Sequence, residues 1–303
     1  MSAPRTSFIE NLGRWSLRRL GATSVWHESG GTRLHAFLVP RHARAPRDAP
    51  PLVLLHGVGS SASTFGRLLR RLRPHFGDIY LPEAPAHGHS SVPPPPMTPN
   101  TLFELVRGWL DEVPPAPFVL YGNSLGGAAS LRYAIERPER VRALCLLSPA
   151  GAGTPPEELS ELVASFDLES PGAARRFMGR LFRRPRWYHH LAAGELRRRF
   201  AQPPLQQFFA EVGTSDTLDP AAVARLPMPV LLMWGGSERL LPESNRAWFR
   251  QHLPPGATLS EPEHFAHSAY IEHPTDVAQE ILAFLRARAV LPPADPRDEP
   301  APT

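Results

Sequence analysis

The sequence predicts an α/β fold in which a mostly parallel central sheet is flanked by helices and carries an inserted all-helical cap. Short apolar runs of strand character alternate with helical patterns through the first half of the 303-residue chain, as in a parallel sheet with helical crossovers. These runs are apolar throughout, as expected for strands that helices cover on both faces. Between residues 154 and 218 only helical patterns remain, and they predict the cap.

The predicted elements begin with two strands, at residues 25–27 and 34–39, which Gly30 and Gly31 connect as a hairpin. A third strand at residues 52–55 runs into the segment His56-Gly57-Val58-Gly59, and a helix is expected over residues 63–72. This half also contains predicted strands near 79–81, 118–121 and 142–147, and predicted helices near 101–113 and between Ser124 and Pro138.

An apolar strand at residues 228–234 resumes the sheet after the insert. A helix near 243–253, a short strand near 257–259 and an amphipathic helix over 276–288 follow it. We therefore expect a core of residues 1–151 and 221–290, a cap of residues 152–220 and a disordered, proline-rich tail of residues 291–303. Aromatic residues of the cap are expected to form its own core and part of an apolar pocket.

Composition argues against several classes of function. The chain has 33 basic residues, all of them arginine, and 29 acidic ones, and it lacks an arginine–aromatic module, so no nucleic-acid partner is expected. The single Cys145 lies in an apolar run and is expected to be a buried, inert thiol. There is no signal-peptide pattern and no apolar stretch of about 20 residues, which predicts a cytoplasmic protein without stable membrane insertion.

Ser124 lies in the segment Gly122-Asn123-Ser124-Leu125-Gly126, between an apolar strand and a helix. A turn this tight leaves little room for side chains, so Gly122 and Gly126 let the backbone bend and present the Ser124 hydroxyl at its tip. The pattern also fits a small-residue turn where a helix packs closely on a strand. If the serine is a nucleophile, other reactive groups should follow neighbouring strands at the same edge of the sheet.

Reactive groups do follow two later strands. Glu238 comes shortly after the strand that ends at Trp234, and His264 and His267 come after the last predicted strand. A serine hydroxyl needs an imidazole to accept its proton, and a carboxylate to hold that imidazole in the right tautomer. The chain order serine, carboxylate, histidine therefore suits nucleophilic catalysis. His264 is an alternative to His267 as the base.

With these residues placed, the chain resembles the α/β-hydrolase family over roughly residues 26–151 and 228–288. The resemblance rests on the elbow around Ser124, on Trp234-Gly235-Gly236-Ser237-Glu238 with Pro242 after it, and on Ala266-His267 followed by Glu272 and Pro274. Glutamate stands at residue 238 where the family usually has aspartate, and alanine precedes His267 where glycine is usual. The resemblance implies that Ser124 is the nucleophile, His267 the base and Glu238 the orienting acid.

The resemblance also implies the backbone N–H groups of Val58 and Leu125 as donors to an oxyanion. His56 is expected to hold the loop around Val58 by hydrogen bonds, and the segment 83–90 to act as a scaffold. No cofactor is implied. A metal site is not expected either, since no carboxylate or cysteine grouping completes the pair His87 and His89; these two histidines are expected in loops or on the surface.

The implied function is a serine-dependent hydrolase that acts on a carboxylic ester or a related small-molecule acyl compound. A carbon–carbon bond hydrolase of meta-cleavage products is an alternative, although those enzymes typically carry tryptophan after the catalytic histidine and this chain has Ser268. An acyltransferase and a ligand receptor that retains the triad are further alternatives. The arginine-rich part of the cap is expected to be a solvated surface; steering of an anionic substrate and loose attraction to an acidic membrane surface are alternatives. The sequence leaves the substrate and the oligomeric state open.

Overall fold

The computed structural model describes residues 8–293. The predicted disordered tail lies, from residue 294 onward, outside the described residues, whereas Leu291 at its start is buried. Within the described range eight strands form one sheet. Along the chain they are β1 (Thr23–Ser29), β2 (Thr32–Val39), β3 (Leu52–Leu55), β4 (Ile79–Pro82), β5 (Phe118–Ser124), β6 (Val141–Pro149), β7 (Val230–Met233) and β8 (Thr258–Ser260).

The sheet is mostly parallel, which confirms the predicted fold class. Its order is β1-β2-β4-β3-β5-β6-β7-β8. The pairs β1–β2 and β2–β4 are antiparallel, and β1 and β2 form the predicted hairpin, in which Ser29 lies opposite Thr32. All the other neighbouring strands run parallel. The carboxyl ends of β3, β5, β6 and β7 therefore meet along one edge, where an open sheet of this kind forms its ligand sites.

Twelve α-helices lie in residues 8–293 and surround the sheet. They are α1 (Phe8–Arg19), α2 (Gly66–Leu72), α3 (Pro99–Glu112), α4 (Leu125–Glu136), α5 (Pro156–Ala164), α6 (Pro171–Leu181), α7 (Trp187–Phe200), α8 (Pro203–Glu211), α9 (Pro220–Ala224), α10 (Glu243–His252), α11 (Ala269–Glu272) and α12 (Pro274–Ala287). None of the described helices is both long enough and apolar enough to cross a membrane.

Helix α1, which spans 12 residues, is not predicted by the sequence. Three of its buried positions, Glu10, Arg14 and Leu17, recur at helical spacing. Two of these three side chains are charged, so the sequence of the buried face lacks the periodic apolar residues that indicate an amphipathic helix. The helix is stabilised by tertiary ion pairs, which periodicity of hydrophobic residues cannot reveal.

Two apolar cores cover the two faces of the sheet. Alternate residues of β3 divide between them, since Val53 packs in one core and Leu52 in the other, as the two-residue period of a strand requires. Side chains of α3 and α4 complete the first core, and those of α2 and α12 complete the second. Cys145 is buried, and burial raises the pKa of its thiol, which agrees with the expected inert role.

The segment between β6 and β7 contains helices α5 to α9 and no strand, as predicted for the insert. Their aromatic residues pack on one another: the rings of Phe166 and Phe209 are stacked at 4.7 Å between centroids, and Phe200 meets both of them edge-on. The backbone after α6 is held by Glu272, whose carboxylate accepts hydrogen bonds from the N–H groups of Arg183 and Arg184 at 2.9 and 3.0 Å. The domain boundaries and the role of this insert as a cap stay predictions.

Candidate active site

Ser124 stands at the sharp turn between β5 and α4. Its φ of 55° is in the left-handed region, which residues with a side chain rarely adopt. A Cβ atom added to Gly122 would overlap the carbonyl oxygen of Gly126, and one added to Gly126 would overlap that of Leu55. The tight approach of helix and strand thus requires glycine at both positions, and the turn has the geometry that the sequence predicts.

Glu238 and His267 form a buried pair beyond the ends of β7 and β8. His267 Nδ1 lies 2.9 Å from Glu238 Oε2, and both side chains are less than 5% exposed. The second carboxylate oxygen of Glu238 accepts hydrogen bonds from the N–H groups of Leu240 at 2.7 Å and Leu241 at 3.1 Å. When the Nδ1–H group donates a hydrogen bond to the carboxylate, the neutral ring has its one proton on Nδ1. Nε2 then carries no proton and can act as a base.

The interactions that Glu238 makes together outweigh burial in setting its pKa. Burial, the largest single influence, raises the pKa of this carboxyl, whereas the charge of His267 and its hydrogen bond lower it. The Ser148 hydroxyl and the Leu240 N–H also lower it, so the pKa of Glu238 is below its ordinary value. Glutamate at this position therefore keeps the negative charge that the interaction with His267 requires.

Ser124 and His267 line the same cavity, which has a volume of about 160 Å³. Within residues 8–293 the structure contains no hydrogen bond between the Ser124 hydroxyl and the His267 ring. His264, the alternative base, does not line this cavity; its Nε2 lies 2.8 Å from Asp276 Oδ2 and its side chain is 37% exposed. The geometry thus brings together Ser124, Glu238 and His267 and leaves His264 outside.

Asn123 connects Ser124 to His267 through the backbone, and the sequence analysis did not assign it a role. Its Nδ2 donates to the carbonyl oxygens of Leu147 at 3.0 Å and His267 at 3.1 Å. The side chain is 3% exposed. The signal available in the sequence was a polar residue inside an apolar strand, and such a residue is buried only where it has hydrogen-bond partners.

The loop after β3 lies against the turn at Ser124. A Cβ atom on Gly57 would lie 3.2 Å from Ser124 Cβ, and Val58 borders the cavity that contains Ser124. His56 Nε2 accepts a hydrogen bond from the Ala84 N–H at 3.1 Å, so this nitrogen carries no proton. The proton is on Nδ1, which donates to Gly57 O at 2.9 Å. Burial lowers the pKa of His56, and these contacts agree with the predicted loop-holding role.

His87 holds the same loop from another side. Its Nε2 accepts from the Gly59 N–H at 2.9 Å, and its Nδ1 donates to Pro85 O at 2.8 Å. Burial, followed by the charge of His56, lowers the pKa of His87 to about 3, so the ring is neutral near pH 7. His87 is in a loop as expected, but it is 1% exposed and not a surface residue.

A second cavity also borders Ser124, and its volume is about 560 Å³. Its walls are mostly apolar, and they come from α4, from the insert and from the segment after β6; they include Leu125, Ala128, Phe166, Phe208, Phe209 and Leu218. Both walls also contain charged residues: Glu10, Glu195 and Arg199 in the smaller cavity, and Arg132, Glu136, Asp216 and Asp219 in the larger one. Ser124, Val58 and Phe166 border both cavities, so the serine lies where the two meet.

One group in the described part of the chain has the composition of a metal site. The ligand atoms of His264, His273 and Asp276 all lie within 4.8 Å of one another. These partly exposed side chains border neither cavity described above. The groups around Ser124 include the His267 imidazole, which pairs with the Glu238 carboxylate, and the backbone of the loop at Val58.

Comparison with known proteins identifies relatives of this arrangement. Residues 52–280 match the Alpha/beta hydrolase family. A pimeloyl-acyl-carrier-protein methyl ester esterase from Chromobacterium violaceum is 25% identical over 253 residues, which cover 79% of this chain and 96% of that protein. The protein of the same description from Klebsiella pneumoniae is 28% identical over 243 residues, which cover 77% of this chain and 92% of that protein.

Solved structures share the fold. A membrane phospholipase A, described as a bacterial virulence factor, matches 92% of this chain and 90% of its own with a TM-score of 0.78 and 21% identity. A 2-hydroxy-6-oxo-6-phenylhexa-2,4-dienoate hydrolase from a Rhodococcus strain matches 88% of this chain and 99% of its own with a TM-score of 0.75 and 22% identity. Identity this low indicates a common fold and leaves activity to be argued from the site.

Proposed function

Because this chain belongs to the alpha/beta hydrolase family, we propose that it is a serine-dependent hydrolase of carboxylic esters that works through an acyl-enzyme. The observation that carries the proposal is the hydrogen-bonded pair of His267 and Glu238, whose imidazole borders the same cavity as Ser124. An acid-oriented imidazole beside a serine at a strained turn is the arrangement that nucleophilic catalysis requires.

Each proposed step moves one proton. Ser124 Oγ attacks the ester carbonyl carbon while His267 Nε2 accepts the hydroxyl proton, and a tetrahedral intermediate forms. Its collapse breaks the bond to the alcohol, which leaves with the proton from His267. A water molecule then attacks the acyl-enzyme in the same way, releasing the carboxylic acid and restoring Ser124. Glu238 keeps Nδ1 protonated and stabilises the imidazolium during both half-reactions.

The oxyanion of each intermediate is proposed to accept hydrogen bonds from the backbone N–H groups of Val58 and Leu125. Leu125 follows Ser124 directly and begins α4, whose positive end faces the same region. Val58 belongs to the loop that lies against Ser124. One such donor stabilises the transition state by about 3 kcal/mol, so the conformation of this loop matters as much as a catalytic side chain.

The two cavities are proposed to hold the two halves of the ester. The larger one, at about 560 Å³ and with mostly apolar walls, has room for an acyl chain. The smaller one, at about 160 Å³, has room for only a small alcohol part. The methyl ester esterases among the relatives support an ester with a small alcohol as a substrate to test first.

Fluorophosphonate labelling combined with ester hydrolysis tests the proposal. The wild-type protein is expected to react at Ser124 and to hydrolyse p-nitrophenyl esters, whereas Ser124→Ala should lose the label and at least about 10³-fold in kcat. The exposed Ser91 supplies a control, since Ser91→Ala should behave as the wild type. Retention of wild-type turnover by Ser124→Ala would exclude Ser124 as the nucleophile.

A further inference from the structure

Helix α1 reaches the candidate active site although it lies outside the matched family region, which begins at residue 52. Glu10 in this helix is 6% exposed and borders the same cavity as Ser124. Its Oε2 accepts a hydrogen bond from Arg199 Nη2 of α7 at 3.0 Å, and its Oε1 accepts one from Arg14 at 2.7 Å. Arg199 also contacts Glu195 of its own helix at 3.0 Å. An ionic bridge between a buried carboxylate and a partly buried guanidinium thus joins α1 to α7 beside the serine.

The other nitrogen of the Arg199 guanidinium binds the loop that carries Val58. Arg199 Nη1 donates to Gly59 O at 2.9 Å and to Ser60 O at 3.0 Å. Helix α7 packs tightly on this loop, because a Cβ atom added to Gly59 would overlap the rings and methyl groups of Phe200 and Leu196. Gly59 has a φ of +74°, which suits glycine alone at this close contact.

Two planar peptide groups connect Arg199 to the Val58 N–H. In a trans peptide the C=O and the following N–H point in opposite directions. The peptide between residues 59 and 60 accepts from Arg199 at its oxygen, and its N–H, that of Ser60, donates to Gly57 O at 3.1 Å. Gly57 O belongs to the peptide whose N–H is that of Val58. The Val58 N–H is therefore directed away from Gly57 O, which is held by the Ser60 N–H.

The positive charge of Arg199 also affects this series of hydrogen-bonded peptide groups. A hydrogen bond to a carbonyl polarises the whole peptide group, so successive peptides in a chain strengthen one another as donors. A guanidinium at the head of the chain is a permanent positive charge, and its hydrogen bonds are stronger than neutral ones. The Val58 N–H at the other end consequently becomes a better donor to a negative oxygen.

We infer that Arg199, held by Glu10, is a positioning residue that fixes and polarises the Val58 N–H through the Gly59–Ser60 and Gly57–Val58 peptides. The inference rests on the proposed function, because an oxyanion must form for this donor to matter. It makes α1 and α7 parts of the catalytic unit, although neither supplies a group that touches the reacting atoms. The pKa of Glu10 supports an ionised bridge: burial raises it, but Arg199 and Arg14 lower it below its ordinary value.

The test compares Arg199→Gln, Arg199→Lys and Glu10→Gln with the wild type on a short p-nitrophenyl ester. Arg199→Gln is expected to lose at least about tenfold in kcat, up to the 10²–10³-fold that removal of one oxyanion donor costs, with KM changed less than about threefold. Arg199→Lys should recover part of the loss, because an ammonium can still donate to Gly59 O. Glu10→Gln should lose less than Arg199→Gln, because the guanidinium stays but is held more loosely.

A boronic acid inhibitor supplies a second readout, because its tetrahedral adduct with Ser124 carries an oxyanion. Its affinity should fall in Arg199→Gln by the same factor as kcat, whereas a merely structural change would not link the two. Arg198→Gln on the exposed side of α7 removes the same charge and should match the wild type in both readouts. If Arg199→Gln does not fold, kcat and boronic acid affinity are compared between Glu10→Gln, Arg199→Lys and the wild type, and both variants should fall below the wild type in both measurements.

Wild-type kcat and boronic acid affinity in folded Arg199→Gln, or in both remaining variants, would overturn the inference. Loss of kcat without loss of boronic acid affinity would also overturn it, since the oxyanion donor would then be unaffected. The Ser124→Ala variant separates this failure from that of the proposed function. If Ser124→Ala is inactive while Arg199→Gln is fully active, the inference about Arg199 fails and the serine mechanism stands.

Discussion

The Asn123 side chain donates a hydrogen bond of 3.1 Å to the backbone oxygen of His267. The residue that precedes the proposed nucleophile therefore fixes the backbone of the proposed base. The same Nδ2 binds Leu147 O at the end of β6, so three neighbouring segments meet at one amide. This contact explains how a base on a loop after β8 can keep its place relative to a serine at the end of β5.

Replacing Asn123 should reduce both activity and stability. Asn123→Ala leaves the carbonyl oxygens of Leu147 and His267 without this partner, and an unsatisfied buried group costs about 1–3 kcal/mol. We expect kcat to fall by about tenfold or more, since a base misplaced by 1 Å can cost about 10²-fold. Urea unfolding and ester kinetics measure the two effects. The exposed Gln251 is the control, and equal stability of Asn123→Ala and Gln251→Ala would contradict the role of the amide.

Glu238→Gln should nearly abolish turnover without removing the side chain. An amide can donate to the imidazole and favour the tautomer with the proton on Nε2, which cannot accept the serine proton; we expect kcat to fall on the order of 10³-fold or more. Glu238→Asp keeps the charge but withdraws the carboxylate from His267, and a loss of about 10²-fold is expected. Steady-state kinetics on a p-nitrophenyl ester distinguish the two.

The control for Glu238 is Glu243→Gln, because Glu243 is 68% exposed and pairs with Arg246 away from the cavity. This variant should keep wild-type kcat. The assignment of Glu238 as the orienting acid would be wrong if Glu238→Gln retained more than about a tenth of the wild-type kcat.

Glu83 should make the stability of the protein depend on acid pH. Burial raises its pKa, but the hydrogen bond from His35 and the charge of Arg14 lower it to about 2, from an ordinary value of 4.5. The ionised carboxylate therefore contributes stability that is fully present above pH 4.5 and is lost as the pH falls toward 2. A pKa shift of this size corresponds to about 3 kcal/mol in the free energy of unfolding.

Urea unfolding between pH 7 and pH 2 measures this contribution. Glu83→Gln should be less stable than the wild type at neutral pH, and the difference should shrink as the pH falls below 4.5. Glu139→Gln, at an exposed site, should follow the wild-type pH dependence. A difference between wild type and Glu83→Gln that stays constant over the whole range would show that the charge of Glu83 is not responsible.

Acyl-chain length should govern kcat/KM if the larger cavity holds the acyl chain. Each buried methylene contributes about 0.8 kcal/mol, so kcat/KM should rise about fourfold per added carbon until the cavity of about 560 Å³ is filled. A series of p-nitrophenyl esters from acetate upward measures the slope. Wild-type rates that do not depend on chain length would exclude this cavity as the acyl site.

Ala128 offers a way to shorten that cavity. It lies one turn of α4 after Ser124 and borders the larger cavity, so Ala128→Leu should reduce kcat/KM for long acyl chains and leave the acetate nearly unchanged. Ala192→Leu narrows the smaller cavity by the same added volume and should keep the wild-type dependence on acyl length. The same chain-length profile in both variants would contradict the assignment of the two cavities.

The elements around the candidate site could be predicted because each depends on residues close together in the sequence. The strand before Ser124, the glycines of its turn and the helix after it all lie within about twenty residues, and apolar periodicity and turn chemistry report such local structure directly. The order of Ser124, Glu238 and His267 could be read in the same way, because parallel strands bring their carboxyl ends to one edge.

Contacts between distant residues could not be predicted from these patterns. Helix α1 was missed because Glu10 and Arg14 occupy its buried face, and charged residues on that face conceal its amphipathicity. His87 was expected in a loop or on the surface, and only packing revealed that it is buried against the loop that carries Val58. Asn123 likewise acquires its role from a backbone oxygen 144 residues away.

The sequence by itself determined the α/β architecture, the strained turn at Ser124 and the chain order of the reactive groups, because these follow from local backbone preferences and from the apolar character of each strand. Only the tertiary structure decided which histidine meets Glu238, how Asn123 holds His267 and that Arg199 reaches the loop around Val58. The physical reason is that a buried polar group must be paired wherever the fold places it, and its partner can come from any part of the chain. Glu10 and Arg199, 189 residues apart, are such a pair.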